Sequence, residues 1–419
     1  MKQCIVLSVA LLFAVPFVRA GEWRYSLEYE PSYSTNIART AKNEREEITH
    51  ALRVGIRYDE RSAAMDGTIT LDVEHRSYVN GVFADQNWSH LNADVTWSLI
   101  RKRLFWVMED RLSNEPVMNR QVWVPGNIQQ TNLFSTGPRL SYRFGNGIGL
   151  LADLRYMNSY AEITDEFDSD RWYLAGTLSQ DLSVQTRVST NLAMTKVDFR
   201  NRDADDYRRL DLFAAWDWQQ GRSGLRFELG GSRIDFDYAD NASGPHLKIV
   251  GNRRISSVSQ LKLALFRGYS DAARQLQRDS RAVPVGSDVI SSQVYTVSEG
   301  EMSYRTAWLY STLEAILNYQ KQAYLESSAL DQELFSGGLV MSRGFATALS
   351  AEAGISRTRS FYEVDGRRDD LFSSFVGVHL RRTRHLGYRL RMSWEKRDST
   401  TDSADYGELA FFATVRYQR

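Results

Sequence analysis

Cysteine is nearly missing from this sequence: Cys4 is the only one among 419 residues. A disulfide framework is therefore excluded, and with it the small secreted scaffolds that depend on one. No apolar run after the first twenty residues approaches the roughly twenty needed for a membrane-spanning helix, and no stretch shows convincing helical periodicity. Neither sign of charge is in excess, with 52 basic and 52 acidic residues, which argues against a nucleic-acid-binding surface. A glycine-rich phosphate loop, zinc-spaced histidines and a nucleotide fingerprint are also missing, so no cofactor and no metal is expected. Proline is scarce, at 7 residues, whereas aromatics reach 12%, and mean hydropathy is below zero. A transmembrane β-barrel gives this combination, because each strand offers only half of its residues to lipid. A large secreted β-protein would give it too.

The first twenty residues read as a secretory signal. Lys2 supplies positive charge, Ile5 to Val18 are mostly apolar, and Val18-Arg19-Ala20 suits cleavage before Gly21. Cys4 precedes the apolar stretch, where a lipid-attachment cysteine would follow it. The division is thus 1–20 signal peptide and 21–419 a single β-domain.

From Glu22 onward about twenty segments alternate apolar and polar residues with a period of two. The first sets Trp23, Tyr25, Leu27 and Tyr29 against Arg24, Ser26 and Glu28. The closing hairpin sets Tyr388, Leu390, Met392 and Trp394, then Leu409, Phe411, Ala413, Val415 and Tyr417, against mainly polar neighbours. Ala410 and Phe412 are its exceptions. Segments near 103–112, 245–254 and 290–304 are less regular. Connections alternate in length: short ones at 101–103, 145–147 and 384–385, longer polar ones at 37–45, 113–130, 162–170 and 268–288. That asymmetry fits an all-β, transmembrane, antiparallel up-and-down barrel with short periplasmic turns and longer extracellular loops. Both termini on the periplasmic side require an even count, about 20 strands, or 18 or 16 should the weaker segments be loops. Aromatics near segment ends, among them Tyr58, Tyr78, Trp88, Trp106, Tyr142, Trp172, Trp218, Tyr319 and Tyr388, fit girdles at the two interfaces.

The most individual text lies between Leu104 and Gly145. Phe105-Trp106-Val107-Met108-Glu109-Asp110-Arg111 is followed by a polar loop and by Asn132-Leu133-Phe134-Ser135-Thr136-Gly137-Pro138, which is expected to open the next strand. These motifs resemble the porin-like outer-membrane β-barrels associated with exopolysaccharide and PEP-CTERM systems. The resemblance covers about a tenth of the chain. It implies a bacterial outer-membrane barrel with a role in polymer export, and supplies no catalytic residues. The partners it implies are outer-membrane lipid, the barrel-assembly machinery that reads the last strand, polysaccharide, and periplasmic export components. Tyr417 departs slightly from a usual barrel ending, because Gln418 and Arg419 follow it.

If apolar residues face lipid, the lumen receives Arg53, Arg57, Asp72, Glu74, Asp94, Asp153, Arg155 and Asp211. It also receives Asp217, Arg226, Glu228, Lys262, Arg389, Arg391, Glu395 and Arg416. Both signs intermingle, which predicts a hydrated lumen of weak charge preference; these side chains either tie one another down or bind an acidic or neutral glycan. A barrel of this width needs a loop to narrow it. The candidates are 113–130 and 268–288, the latter with Arg274, Arg278, Arg281 and Pro284. A general diffusion porin and a structural or assembly scaffold stand as alternatives to polymer export. An outer-membrane lipase is the remotest: His75 and Ser77 share a lipid-facing side, but the sequence identifies no third group to orient the histidine. Asp203, Asp205 and Asp206 form an acidic loop, either solvated or able to hold a divalent cation.

Overall fold

The computed structural model describes residues 21–118, 120–145, 147–278 and 291–419. The signal-peptide reading at 1–20, Asn146 of one short turn, and Arg281 and Pro284 of the long loop lie outside them. Twenty strands run from β1 (Glu22–Ser34) to β20 (Tyr406–Gln418), each 12 to 16 residues long. Every strand pairs antiparallel with its successor, and β20 pairs back with β1, closing the sheet. Closure is what lets a sheet sit in hydrocarbon, where an open edge would leave a row of unpaired amides. The backbone of Arg419 completes the seam through two hydrogen bonds with Tyr25, at 2.8 and 2.9 Å.

The alternation assigns the two faces. Trp23, Tyr25, Leu27 and Tyr29 are each more than 40% exposed, as are Leu52, Val54, Leu390, Met392 and Trp394. They form the outward apolar belt. The three irregular segments are strands as well: β5 (Leu104–Pro116), β12 (Ala242–Arg254) and β14 (Tyr295–Trp308). Their pattern is weak because both faces carry polar groups over part of their length. Two residues placed in the aromatic girdles point the other way: Tyr78 is 6% exposed, and Trp88 lies opposite inward Glu74 with the Arg76 guanidinium 5.1 Å from its ring centre. Parity decides this, since Val73 faces out and Tyr78 stands an odd number of residues along the same strand.

Prolines sit where the ladder is interrupted, as expected for a residue without an N–H to donate. The β1–β20 pairing lapses beside Pro31, between Tyr29↔Val415 and Ser32↔Phe412. The pairing of β6 (Ile128–Arg143) with β7 (Ile148–Ala161) lapses at Gly137-Pro138. The two quoted motifs form a single hairpin: Trp106↔Pro138, Met108↔Thr136, Asp110↔Phe134 and Arg111↔Leu133 stand directly opposite. The second motif lies within β6 and does not open it, because the strand begins at Ile128. A side chain at Gly137 would place its Cβ 2.0 Å from the Leu154 carbonyl oxygen. Gly137→Val is therefore expected to lower the folded fraction sharply, read as loss of the heat-modifiable band on electrophoresis. An unchanged band would contradict this close approach.

One end of the barrel carries only short turns, such as 221–222 and 309–310, and the other carries the long loops, such as 35–46, 117–127 and 271–294. Loop 271–294 holds the one α-helix among the described residues, α1 (Ala272–Arg278), which the sequence pattern does not signal.

Candidate lumen and its two crossing loops

Register sets the polar partners of the lipid belt on the inner face, where many of them pair. Arg53 bonds Glu28 and Glu74, and Arg416 comes within 3.9 Å of Glu28. Arg57 reaches Asp59 at 2.7 Å. Asp153 accepts from Arg139 and Arg155, both at 2.8 Å. Arg226 joins Asp217 at 3.0 Å and Glu228 at 2.6 Å, and Glu228 also faces His246. Asp211 binds Arg209 at 2.9 Å and accepts from Ser232. Glu395 is held by Arg39 and the Tyr406 hydroxyl.

The remaining residues read from the sequence as lumenal are less tied. Arg389 donates to His379 Nδ1 at 3.2 Å. Arg391 lies 4.1 Å from the Phe375 ring centre, and its Nε has no hydrogen-bond partner. Asp72 stands opposite Gly55, Asp94 opposite Thr68 and Glu109, and Lys262 opposite Asn252 and Ser303. The inner surface is thus a lattice of neutralised pairs with scattered free charges.

The described residues of both loops singled out for length reach across the mouth. From β13 (Ser259–Ser270) the chain turns inward at Asp271, which accepts from Arg171 Nη1 at 2.9 Å, from the Tyr207 hydroxyl at 2.6 Å, and from the Arg274 backbone N–H at 2.9 Å. Arg171 and Asp271 are buried together. Burial alone would push the Asp271 carboxyl up, yet Arg171 and Tyr207 hold it at about 2. The α1 helix then packs Ala272 and Ala273 against Leu133, Ala161 and Phe167 on the facing wall. Gln275 donates to Glu299 at 2.8 Å, and Arg111 reaches the Leu276 carbonyl at 3.5 Å. From β5 and β6, loop 117–127 crosses the other way. Its Arg120 donates to the Ala329 carbonyl at 2.6 Å and stacks over Tyr362, 5.3 Å from the ring centre. The Arg120 carbonyl accepts from Arg397, which is also bound to Asp369. The described residues of each loop thus join opposite walls of the barrel.

Arg171, Tyr207, Asp271, Arg397, Asp369 and Arg39 were not singled out in the sequence. In the sequence they are ordinary polar residues of strand ends and loops: Arg171 meets Asp271 only because the loop after β13 turns inward, and Arg39 meets Glu408 only because the sheet closes. A signal did exist for Asp271, an acceptor directly before the helix whose side chain takes an N–H of the first turn. Apolar residues also point inward near this end, where Val197, Phe199, Tyr207, Ile234, Tyr269 and Val294 cluster.

The structure supplies the group missing beside His75, whose Nδ1 lies 2.9 Å from Asn87 Oδ1. No hydrogen bond joins the Ser77 hydroxyl to the His75 ring, so the three do not form a hydrogen-bonded triad. In the acidic loop, Asp206 accepts from the Phe199 backbone N–H at 2.6 Å and Asp205 accepts from Ser292, which makes the loop a local clasp. Among the described residues no three His, Cys, Asp or Glu converge on a metal-sized site.

No family model matches the chain, and no curated protein is similar to it in sequence. Solved structures are similar in shape. A double mutant of the ferric enterobactin receptor PfeA from Pseudomonas aeruginosa superposes with a TM-score of 0.51 at 9% identity, over 95% of this chain and 80% of that one. The FrpB iron transporter from Neisseria meningitidis gives 0.46 at 9%, over 98% and 83%. OccK2 (OpdF) from Pseudomonas aeruginosa gives 0.42 at 12%, over 96% and 98%. The fold is that of a transmembrane barrel. At such identities the likeness extends to fold alone.

Proposed function

We propose that the protein is a non-enzymatic pore of the bacterial outer membrane that passes an exported polysaccharide, inserted by the barrel-assembly machinery and fed by periplasmic export components. The observation that carries the pore reading is a closed twenty-stranded wall with an apolar outer belt and a polar inner face; barrels of 16 to 18 strands already enclose an aqueous channel. Export of a polymer rests on the resemblance of the β5–β6 hairpin motifs to barrels of exopolysaccharide systems. A general diffusion porin is the second reading, favoured by the mixed and largely paired charges of the inner face.

Planar-bilayer recording separates the two. Polymer export predicts conductance steps interrupted by long closures when a polysaccharide is added. Steps indifferent to added polysaccharide would favour the diffusion porin, and a silent bilayer would sink both in favour of a scaffold. In cells, deletion of the gene with the synthesis enzymes intact is expected to abolish surface polymer.

A further inference from the structure

Closing the barrel sorts its charges between the two ends. None of the nine short turns contains an aspartate or glutamate, whereas Arg101, Lys102, Arg103, Arg222, Arg382 and Arg384 all lie in them. At the opposite end, loops 79–85, 162–168, 237–241, 325–331, 363–366 and 400–405 contain carboxylates and no lysine or arginine; loops 35–46, 117–127, 200–206 and 271–294 include basic residues, but over all the long loops carboxylates outnumber them. A net charge of zero therefore hides a dipole along the pore axis, basic at the short-turn mouth and acidic at the long-loop mouth. Three strands continue the sorting inside the lumen, whereas beside other short turns Arg57 and Arg226 are paired with carboxylates. Near the short-turn ends of β13, β14 and β19 (Leu386–Ser399), the inward cations Lys262, Arg305, Arg389 and Arg391 have no ion pair with a carboxylate. Near the long loops, Arg39, Arg171 and Arg397 are each bound to one.

We infer that the short-turn mouth, which faces the periplasm, captures a polyanionic chain, one bearing carboxylate, phosphate or sulfate groups along its length. The inference rests on the polymer-export reading and names the class of polymer. A ring of like charge over a low-dielectric wall raises the local concentration of the opposite charge and speeds capture by tenfold or more. The free cations inside extend that attraction past the rim. Where they end, neutralised pairs leave few sites to hold the chain, and the acidic outer loops oppose its return from outside.

Oriented bilayers test this with oligogalacturonate as the anionic probe and dextran of equal length as the neutral one. Block by oligogalacturonate from the short-turn side is expected to begin at least about tenfold more often than from the other side, or than with dextran. The difference should shrink when salt is raised from about 0.1 M to about 1 M, as screening shortens to a few ångströms. Arg101→Gln with Arg382→Gln and Arg384→Gln, all at exposed turn positions, should lower that rate several-fold and leave the unblocked conductance in place. Equal block from both sides, or by both polymers, overturns this inference and leaves the pore intact. Block unaffected by the triple substitution also overturns it, and points to an acidic protein as the partner of the turns. A silent bilayer overturns the pore reading along with it.

Discussion

Phe411→Arg is expected to abolish insertion of the barrel, whereas Thr414→Lys should leave it inserted with altered conductance. Phe411 is 43% exposed, near the middle of β20, and opposite Met392 and Tyr33 on the outward face. A guanidinium there meets hydrocarbon at about 2–4 kcal/mol, and it does so beside Pro31, where the closing seam already lacks part of its ladder. Thr414 is three residues along and therefore faces inward, donating to Glu30 Oε2 at 2.7 Å. An ammonium there finds a carboxylate ready to receive it. The measurements are the heat-modifiable band in outer-membrane fractions for the first variant and single-channel current for the second. Equal tolerance at the two positions would sink the assignment of faces, and with it every lumenal residue named above.

Asp271→Ala should convert a quiet channel into a noisy one of higher mean conductance. The variant strands the buried Arg171 cation and removes the acceptor for the first turn of α1. Breaking one partner of a buried pair costs about 3–5 kcal/mol, whereas replacing both with apolar groups of similar volume is often neutral. Arg171→Met with Asp271→Leu is therefore expected to be quieter than Asp271→Ala alone. Wild-type noise in the single variant would show that this contact does not hold the helix across the lumen. The pH response follows from the same pair. The Asp271 carboxyl lies at about 2 in the folded protein, below its ordinary value near 3.9. Its contribution is thus fully present above the ordinary value and disappears only as pH falls through the lowered one. Recordings at pH 7 and pH 5 should give the same noise, and helix release near pH 5 would mean that another group controls it.

The alternation of residues such as Tyr388 to Trp394 was enough to read strand, face and barrel from the sequence, because period two in a chain without long apolar runs has few other solutions. Alternating connection lengths supplied the even strand count. The segment 290–304 resisted that reading because its inward face carries Tyr295 and Val297, which pack against Phe266 and Tyr324 and erase the apolar-polar contrast. Tyr78 and Trp88 were read as girdle residues because composition near a strand end says nothing of face, whereas register does.

What the amino-acid order determined was therefore everything local: the period, the turn positions, the inward charges such as Arg53, Asp211 and Arg226, and the opposite charge of turns and loops. The tertiary structure alone decided which inward charges cancel. Arg39 meets Glu395 and Glu408 because closing the sheet sets the last strand beside the first, and Arg171 meets Asp271 because the chain after β13 turns into the lumen. It alone carried α1 and loop 117–127 across the mouth, since a loop's landing site depends on the far wall. It also set the charges of turns and loops at opposite mouths, which a net charge of zero conceals.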